Sequence, residues 1–312
     1  MTTARGIAIR SCGSAVPDKV LSNDDLAVTL DTSDAWISER TGIRERRVGG
    51  TTSALAAEAG QRALERAGLQ PTDVDVLVLA TTTPDSIAPA TASTVQEILG
   101  MRHVGAFDVN AACSGFVYGL VVSAGLVALG TDRVLLVGCD TLSRITDWDD
   151  RKIAVLVGDG AGAVVIEAVD GPGNLLSHNL QSDGSLRHLL YCDHGGYLVM
   201  DGREIFRKAV RVVVESAERA LADAGVGVDE IAMLVPHQAN LRIIKAACQR
   251  IGIPEERTAV VIDRYGNTSS ASIPLALDHV VQAGRVGDGD LLLLSGFGGG
   301  MTWASAVLRW GT

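Results

Sequence analysis

Short apolar runs alternate along the chain with longer segments in which apolar residues recur at helical spacing. Residues 74–80 and 133–138 are almost continuously apolar, which is typical of strands buried on both faces. Residues 52–68 form an alanine-rich segment that ends at Gly68, a residue suited to closing a helix. This alternation of strands and helices predicts an α/β fold with mostly parallel sheets covered by helices.

The remaining pattern adds further elements to this plan. We predict a strand over residues 6–14, a helix that starts within residues 22–25 and another helix over residues 91–99. Residues 153–166 predict two strands joined by the glycine-rich segment 158–162. The full G-x-G-x-x-G pattern is missing from that segment, so a tight turn is a better interpretation than a nucleotide-binding loop.

The stretch 108–119 joins a short apolar strand to a segment, 116–129, that is apolar on every side and therefore predicts a buried helix. Cys113 lies at this junction, where the positive end of the helix dipole favours the nucleophilic thiolate. Small neighbours, including Ala112 and Gly115, leave room for an acyl group. For a cysteine considered alone, a buried core residue is the ordinary interpretation.

Three pairs of segments repeat at nearly one offset. Residues 61–78 align without a gap on residues that begin 157 positions later, at 218, and seven of the aligned positions are identical. At an offset of 155, Ser114 aligns on Ser269 and Cys113 on Thr268, and at 156 the pair 135–136 aligns on 291–292. We interpret this as a duplication with halves at residues 1–168 and 174–312.

Corresponding segments of the two halves end in residues that suit thioester chemistry. They end at Cys113, at His237 after residues 231–235, at Asn267 after residues 259–263, and at Gly299 after residues 291–294. Open α/β sheets bind ligands at the carboxyl ends of their strands. A thiol can accept an acyl group, and an imidazole, a carboxamide and a glycine N–H can donate hydrogen bonds to a developing oxyanion. Each residue alone also has an ordinary interpretation as a helix cap, a turn or a packing point.

Composition and charge narrow the classes of protein. The 312 residues are 47% hydrophobic and carry a formal net charge of −10, which disfavours nucleic-acid binding. Five widely spaced cysteines with no C-x-x-C pair disfavour a disulfide framework or a metal site and suit a reducing cytoplasm. We found no signal-peptide pattern and no apolar run of membrane-spanning length.

Six short motifs are spread along the chain. They are DTSDAWI at 31–37, RTGIRER at 40–46, DVNAACSGF at 108–116, PHQANLR at 236–242, GNTS at 266–269 and FGGG at 297–300. Together they resemble the motifs of β-ketoacyl-[acyl carrier protein] synthase III over essentially the whole chain. The resemblance implies a thiolase-like fold, two pseudo-symmetric α/β halves in a layered α-β-α-β-α body, and an active homodimer.

The resemblance also implies an activity: decarboxylative condensation of an acyl-CoA primer with malonyl-[acyl carrier protein], without a cofactor other than the coenzyme A of the substrate. Cys113 would carry the acyl group, His237 and Asn267 would hold the enolate, and the N–H groups of Cys113 and Gly299 would form the oxyanion hole. Residues matching coenzyme A or pantetheine contacts are Trp36, Arg40, Arg151, Asn240 and Phe297. Residues expected to face the acidic carrier protein are Arg242, Lys245 and Arg250.

Two departures from the family pattern concern the primer. Ala88 replaces a common phenylalanine at the floor of the acyl pocket, reached across the dimer, so a longer or branched primer is expected to fit. The loop at 191–199 is shorter than usual and would loosen the cover over the pocket. The alternatives are a specialised condensing enzyme or acyltransferase of secondary metabolism, and a non-catalytic partner subunit; the presence of Asn267 favours condensation.

Overall fold

A computed structural model describes residues 5–311 of the chain. The strands are β1 (Arg5–Ala15), β2 (Val20–Ser22), β3 (Glu45–Arg47), β4 (Val76–Ala80), β5 (Gly105–Val109), β6 (Arg133–Thr141), β7 (Asp159–Asp170), β8 (Leu175–Ser182), β9 (Leu190–Tyr191), β10 (Val199–Met200), β11 (Ile231–Pro236), β12 (Leu291–Gly298) and β13 (Thr302–Arg309). The helices are α1 (Asn23–Ala27), α2 (Asp34–Thr41), α3 (Thr52–Ala67), α4 (Thr91–Ile98), α5 (Gly115–Ala128), α6 (Arg151–Ala154), α7 (Gly202–Ala224), α8 (Leu241–Ile251), α9 (Ile262–Tyr265) and α10 (Ser272–Gln282).

Two sheets carry the architecture. The first has the strand order β1-β7-β6-β4-β5 and the second has the order β11-β12-β13-β8. β4 is parallel to β5 and β6, and β11 is parallel to β12, but every other neighbouring pair in the two sheets is antiparallel. The expectation of mostly parallel sheets is therefore wrong. Strands such as β13 return directly from a turn instead of through a helical crossover, and a direct return makes the pair antiparallel.

The helices form three layers around these sheets. α5 and α10 lie between them, since Phe116 and Leu275 share one core with Val78 of the first sheet and Leu292 of the second. α3 covers the outer face of the first sheet, and α7 with α8 covers that of the second. The layer sequence α-β-α-β-α predicted for the body is confirmed. Within residues 5–311, no helix combines the length and apolar character needed to cross a membrane.

Local signals of the sequence decide several helix ends. Gly68 adopts φ 71° and ends α3 as predicted. Ser22 caps α1 in a reciprocal hydrogen-bonded arrangement with Asp25. The prediction for α5 is only partly right: its first turns are buried between the sheets, but Val122 is 37% and Leu129 is 89% exposed in the single chain. An apolar pattern alone does not show that one face of the last turns is left uncovered while Ser123 and Val127 on the other face stay buried.

The prediction of two strands within residues 153–166 is wrong. The first part belongs to α6, which is capped by Asp150 through the backbone N–H of Lys152. Gly160 and Gly162 lie inside the single strand β7 instead of in a turn, and Gly158 directly precedes that strand. A Cβ at Gly162 would lie 2.6 Å from the backbone nitrogen of Leu275. These glycines therefore permit α10 to pack directly against β7.

Near the strand ends, the structure aligns the two halves in a register different from the one that the sequence repeat predicts. Ala112 and Ser269, which are 157 positions apart, both adopt left-handed φ, 49° and 52°. Each is in or next to a short 3-10 turn, 112–114 or 269–271, that leads into α5 or α10. The structure thus pairs Cys113 with Ser270, which is two positions from the sequence alignment on Thr268. The boundaries at 1–168 and 174–312 stay a prediction, supported by the chain segments that form each sheet.

The second sheet lacks a counterpart of β5, although the repeat predicts one at residues 259–263. Thr258 makes a single bridge to Leu234 of β11, and the chain then enters α9 at Ile262. The buried side chain of Gln238 takes the place of strand pairing: its amide nitrogen donates to the Ala259 carbonyl and its oxygen accepts from the N–H of Val261. A side chain that satisfies backbone groups in this way removes the need for a ladder.

Candidate active site

Cys113 lies in the 3-10 turn 112–114 between β5 and α5, at the position predicted for it. Ser114 and Thr302 hold this turn, since both hydroxyls donate to the Ala111 carbonyl, at 2.8 Å each. β12 approaches so closely that a Cβ at Gly298 would lie 2.4 Å from the backbone nitrogen of Cys113. The turn is therefore fixed from both halves of the chain.

Two cavities meet at Cys113. The larger, of about 270 Å³, is lined by Cys113, Asn267, Gly299 and apolar side chains that include Leu142, Ile145, Ile153 and Val157. The smaller, of about 180 Å³, is lined by Cys113, His237, Asn240, Asn267 and Phe297 among others. The fold thus brings the thiol, the imidazole and the carboxamide to one cavity, although residues 113 and 267 are far apart in sequence.

His237 follows the end of β11 and is 4% exposed. Burial lowers the pKa of its imidazole to about 3, so the ring is neutral at ordinary pH. Its Nδ1 lies 2.6 Å from the hydroxyl of Ser272, and the Phe297 ring packs edge-on against it with centroids 5.4 Å apart. The Ser272 hydroxyl thus determines which ring nitrogen carries the proton.

The side chain of Asn267 is oriented by the backbone that follows it. Its Oδ1 accepts a hydrogen bond from the N–H of Ser269 at 2.9 Å. With the oxygen engaged in this way, the amide nitrogen is the group left to donate into the cavities that Asn267 lines. The backbone of Asn267 is also fixed, because it bridges Val157 next to β7.

The thiol of Cys113 departs from the sequence expectation. Its pKa is raised to about 12, mainly by burial and also by the nearby charge of Asp140, and a hydrogen bond with the Ser269 side chain opposes the rise. The predicted preference for thiolate is therefore wrong for the substrate-free chain. A position before a short turn at a helix start does not offset removal of the sulfur from water.

The predicted coenzyme A residues form two groups. Arg40 and Arg151 both lie over the indole of Trp36, with guanidinium carbons 4.7 and 5.0 Å from the ring centroid. Asn240 and Phe297 instead line the smaller cavity. Asn240 also caps α8 through the N–H of Arg242 and donates to the Arg40 carbonyl at 3.1 Å. That bond links the Trp36 region to the cavity mouth.

The remaining predicted residues lie outside the cavities of this chain. Arg242, Lys245 and Arg250 are on α8, and Lys245 pairs with Glu255 at 3.0 Å. Ala88 is exposed on the surface and lines neither cavity around Cys113. A role for Ala88 in an acyl pocket therefore requires a second copy of the chain. In the part of the chain that the structure describes, no group of histidine, cysteine and acidic side chains can hold a metal ion.

Sequence reasoning missed three polar residues beside the site. Ser269 and Ser272 contact Asn267 and His237 as described above, and buried Asp140 contacts Ser270 between them. A signal was available: residues 269–272 place three serines directly before an apolar helix, and Asp140 ends a buried strand. The partners of Ser272 and Asp140 lie 35 and 130 positions away, at His237 and Ser270, so pattern alone did not connect them.

Comparisons with known proteins show which family the chain belongs to. The family model described as 3-Oxoacyl-[acyl-carrier-protein (ACP)] synthase III matches residues 107–184, and its C-terminal counterpart matches residues 221–310. The chain is 50% identical to the beta-ketoacyl-[acyl-carrier-protein] synthase III of Roseiflexus castenholzii, covering 97% of this chain and 98% of that protein.

Solved structures agree as well. The 3-oxoacyl-[acyl-carrier-protein] synthase III of Aquifex aeolicus is 44% identical, with a TM-score of 0.96 over 98% of this chain and 100% of that one. The priming beta-ketosynthase of the R1128 polyketide pathway is 36% identical, with a TM-score of 0.95 over 100% of this chain and 98% of that one. The fold is the thiolase fold, and the chain belongs to the 3-oxoacyl-[acyl-carrier-protein] synthase III family.

Proposed function

We propose that this protein is the condensing enzyme that initiates fatty acid synthesis, joining an acyl-CoA primer to malonyl-[acyl carrier protein] with loss of CO2. The observation that carries the residue assignments is the smaller cavity, where Cys113, His237 and Asn267 meet. Coenzyme A enters as part of the substrate, and the reaction uses no metal or prosthetic group. We place the reaction in the cytoplasm, as the cysteine usage predicts.

In the first step, the Cys113 sulfur attacks the carbonyl carbon of the acyl-CoA thioester. A new C–S bond forms, the bond to coenzyme A breaks, and coenzyme A leaves as a thiol with the proton from Cys113. Because burial holds the pKa of that thiol near 12, the proton leaves during the attack and passes to the sulfur of the departing coenzyme A. The N–H groups of Cys113 and Gly299 stabilise the oxyanion.

In the second step, the malonyl carboxylate leaves as CO2 and its bonding electron pair becomes an enolate. The enolate oxygen accepts hydrogen bonds from His237 and from the amide nitrogen of Asn267, which the Ser269 N–H orients. The resulting carbanion attacks the acyl carbon on Cys113. A C–C bond forms, the C–S bond breaks, and Cys113 takes up a proton from solvent.

The two cavities suggest separate roles. The smaller cavity, with Asn240 and Phe297, suits the pantetheine arm, and the Trp36 face with Arg40 and Arg151 suits the adenine end of coenzyme A. The larger cavity, lined mainly by apolar side chains, suits the primer chain. The carrier protein would dock at α8 through Arg242, Lys245 and Arg250, where an acidic partner meets a local basic surface.

We also propose a homodimer. β5 forms one edge of the five-stranded sheet, and Ile87 next to Ala88 is 88% exposed in the single chain. An open strand edge and a large exposed apolar side chain both favour burial against a second copy. In that arrangement Ala88 would reach the partner's primer pocket, and its small side chain would admit longer or branched primers.

The test combines acyl-CoA, malonyl-[acyl carrier protein] and the enzyme, and follows labelling of Cys113 by mass spectrometry together with CO2 release. We expect labelling, CO2 and a 3-oxoacyl product, with Cys113→Ala losing the label and His237→Ala keeping it but releasing no CO2. Labelling without CO2 in the wild type would instead indicate simple acyl transfer, and absence of both would refute the proposal.

The choice of primer is a separate test, which concerns the role given to Ala88. The 36% identical priming ketosynthase of a polyketide pathway has the same fold over the whole chain, which keeps secondary metabolism as the second candidate. We expect rates with butyryl- to octanoyl-CoA to exceed the rate with acetyl-CoA. A strict preference for acetyl-CoA would contradict the role given to Ala88.

A further inference from the structure

One backbone turn touches all three proposed catalytic side chains. The N–H of Ser269 donates to Asn267 Oδ1 at 2.9 Å. The Ser269 carbonyl accepts at 2.8 Å from the Ser272 hydroxyl, which in turn lies 2.6 Å from His237 Nδ1. The Ser269 side chain lines the larger cavity together with Cys113 and lowers the pKa of its thiol. A small displacement of this residue therefore moves the partners of the whole site.

Ser269 does not hold this position by itself. It adopts φ 52°, in the left-handed region that residues other than glycine rarely occupy. Such a conformation persists only where the surrounding structure determines it. A group outside the turn must therefore hold Ser269 in this conformation.

Asp140 supplies that group from the other half of the chain. It lies in β6 and is 0% exposed. One carboxylate oxygen, Oδ2, accepts from the N–H of Ser270 at 3.0 Å and from its hydroxyl at 2.7 Å. The other, Oδ1, accepts from both the N–H and the hydroxyl of Thr82 and of Thr83, at 2.7–3.0 Å, and from the Thr81 hydroxyl at 3.1 Å. Both oxygens are therefore fully engaged.

The packing leaves the turn no alternative position against this strand. A Cβ at Gly138 would lie 2.4 Å from the Ser270 carbonyl oxygen, so the turn rests directly on the backbone of β6. Asp140 is two residues further along the same strand. Contact and hydrogen bonds thus act on Ser270 from one rigid element.

We propose that Asp140 is a positioning residue, which holds the turn 269–271 in the conformation that aims Asn267 and His237 at the enolate. This inference rests on the proposed condensation and adds a residue to it. Asp140 touches no substrate and positions Asn267 and His237 through Ser270 and Ser269. Its charge also raises the pKa of the Cys113 thiol, so removal of that charge is not expected to slow acylation. Cys113 is held mainly by its own turn through Ser114 and Thr302, so the effect is selective for decarboxylation.

The replacement Asp140→Asn tests this selectively. Asparagine keeps the shape and one acceptor for the threonine donors, but its NH2 group would then face the N–H of Ser270, placing a donor against a donor. The matched control is Asp278→Asn. Asp278 is also a buried aspartate that links the two halves, through Ser14 at 2.5 Å and Arg66, but it has no contact with the turn 269–271 among its hydrogen bonds.

We expect Asp140→Asn to lower the decarboxylation rate by about 10- to 100-fold, as misplacement of reacting groups does, with less than about threefold change in Cys113 acylation. Asp278→Asn should change the rates of acylation and decarboxylation equally or not at all, even if its melting temperature falls as much as that of Asp140→Asn. Equal losses of both steps in Asp140→Asn, or no loss in either, would overturn the inference. If wild-type enzyme releases no CO2, it is the proposed function that fails.

A milder variant covers the case in which Asp140→Asn does not fold. Ser270→Ala removes one of the two bonds to Oδ2 and retains the backbone bond. We expect a several-fold decrease in decarboxylation with unchanged acylation. An unchanged decarboxylation rate in folded Ser270→Ala would overturn the inference by itself.

Discussion

Replacement of Ser272 by alanine isolates the hydrogen bond that orients the His237 ring. The hydroxyl lies 2.6 Å from Nδ1 of His237, donates to the Ser269 carbonyl at 2.8 Å and accepts from the N–H of Gln238 at 3.3 Å. When His237 donates to the enolate from Nε2, its Nδ1 must accept a hydrogen bond from this hydroxyl, which then turns its single proton from the Ser269 carbonyl to Nδ1. Alanine removes that donor and leaves Nδ1 without a partner in a buried site.

The magnitude follows from these contacts. A buried polar group left without a partner costs about 1–3 kcal/mol. If the loss falls on the donor form of His237, about 1.4 kcal/mol of lost transition-state stabilisation lowers the rate tenfold. We therefore expect Ser272→Ala to lower the free energy of unfolding by about 1–3 kcal/mol and the decarboxylation rate by about tenfold or more.

The assay measures CO2 release from malonyl-[acyl carrier protein] and acylation of Cys113 separately. The control is Ser123→Ala, since Ser123 is equally buried but bonds only to the Gly119 carbonyl of its own helix. In the double variant with His237→Ala, Ser272→Ala should add no further loss of decarboxylation, because both changes remove one interaction. Additive losses, or an unchanged CO2 rate in Ser272→Ala, would refute this account of the ring.

Three further predictions concern the nucleophile, its packing and coenzyme A. Because burial raises the pKa of the Cys113 thiol to about 12, alkylation of Cys113 by iodoacetamide should be slow at pH 7 and still rise above pH 9, whereas a plateau below pH 8 would contradict this environment. Gly298→Ala should abolish acylation, since its Cβ would lie 2.4 Å from the Cys113 nitrogen; intact-protein mass spectrometry measures this, and normal labelling would disprove the close approach. Trp36→Ala should raise KM for acyl-CoA several-fold with little change in kcat, because its ring contacts only the guanidinium groups of Arg40 and Arg151 among the cations nearby; a loss in kcat alone in steady-state kinetics would contradict the assignment.

Much of the local structure was predictable because its causes are local. Gly68 ends α3 and Ser22 begins α1 through bonds between residues at most a few positions apart. The buried strands β4 and β6 and the location of Cys113 at a helix start likewise follow from short patterns. The prediction failed at residues 158–162, where the glycines serve contact with α10, a segment more than a hundred residues away.

The candidate site also contains residues that the sequence predicted and residues that it did not. The sequence pointed to Cys113, His237 and Asn267 through residue type and repeat-related positions, and the fold places them around one cavity. It did not reveal Ser272 or Asp140, whose importance lies in bonds to partners distant in sequence, His237 and Ser270. The register of the repeat was also two positions off near Ser270, because the left-handed residues that mark it carry no common side chain.

By itself, the sequence determined the layered α/β body, the family and the candidate reactive groups, because periodicity and motif indicate which residues are buried and which side chains suit the chemistry. Only the tertiary structure decided the protonation of those groups and their orientation. The pKa of the Cys113 thiol rises and that of the His237 imidazole falls because both are removed from water when the two halves pack together. Desolvation depends on everything that surrounds a group in space, and that surrounding is assembled from segments which the linear pattern leaves separate.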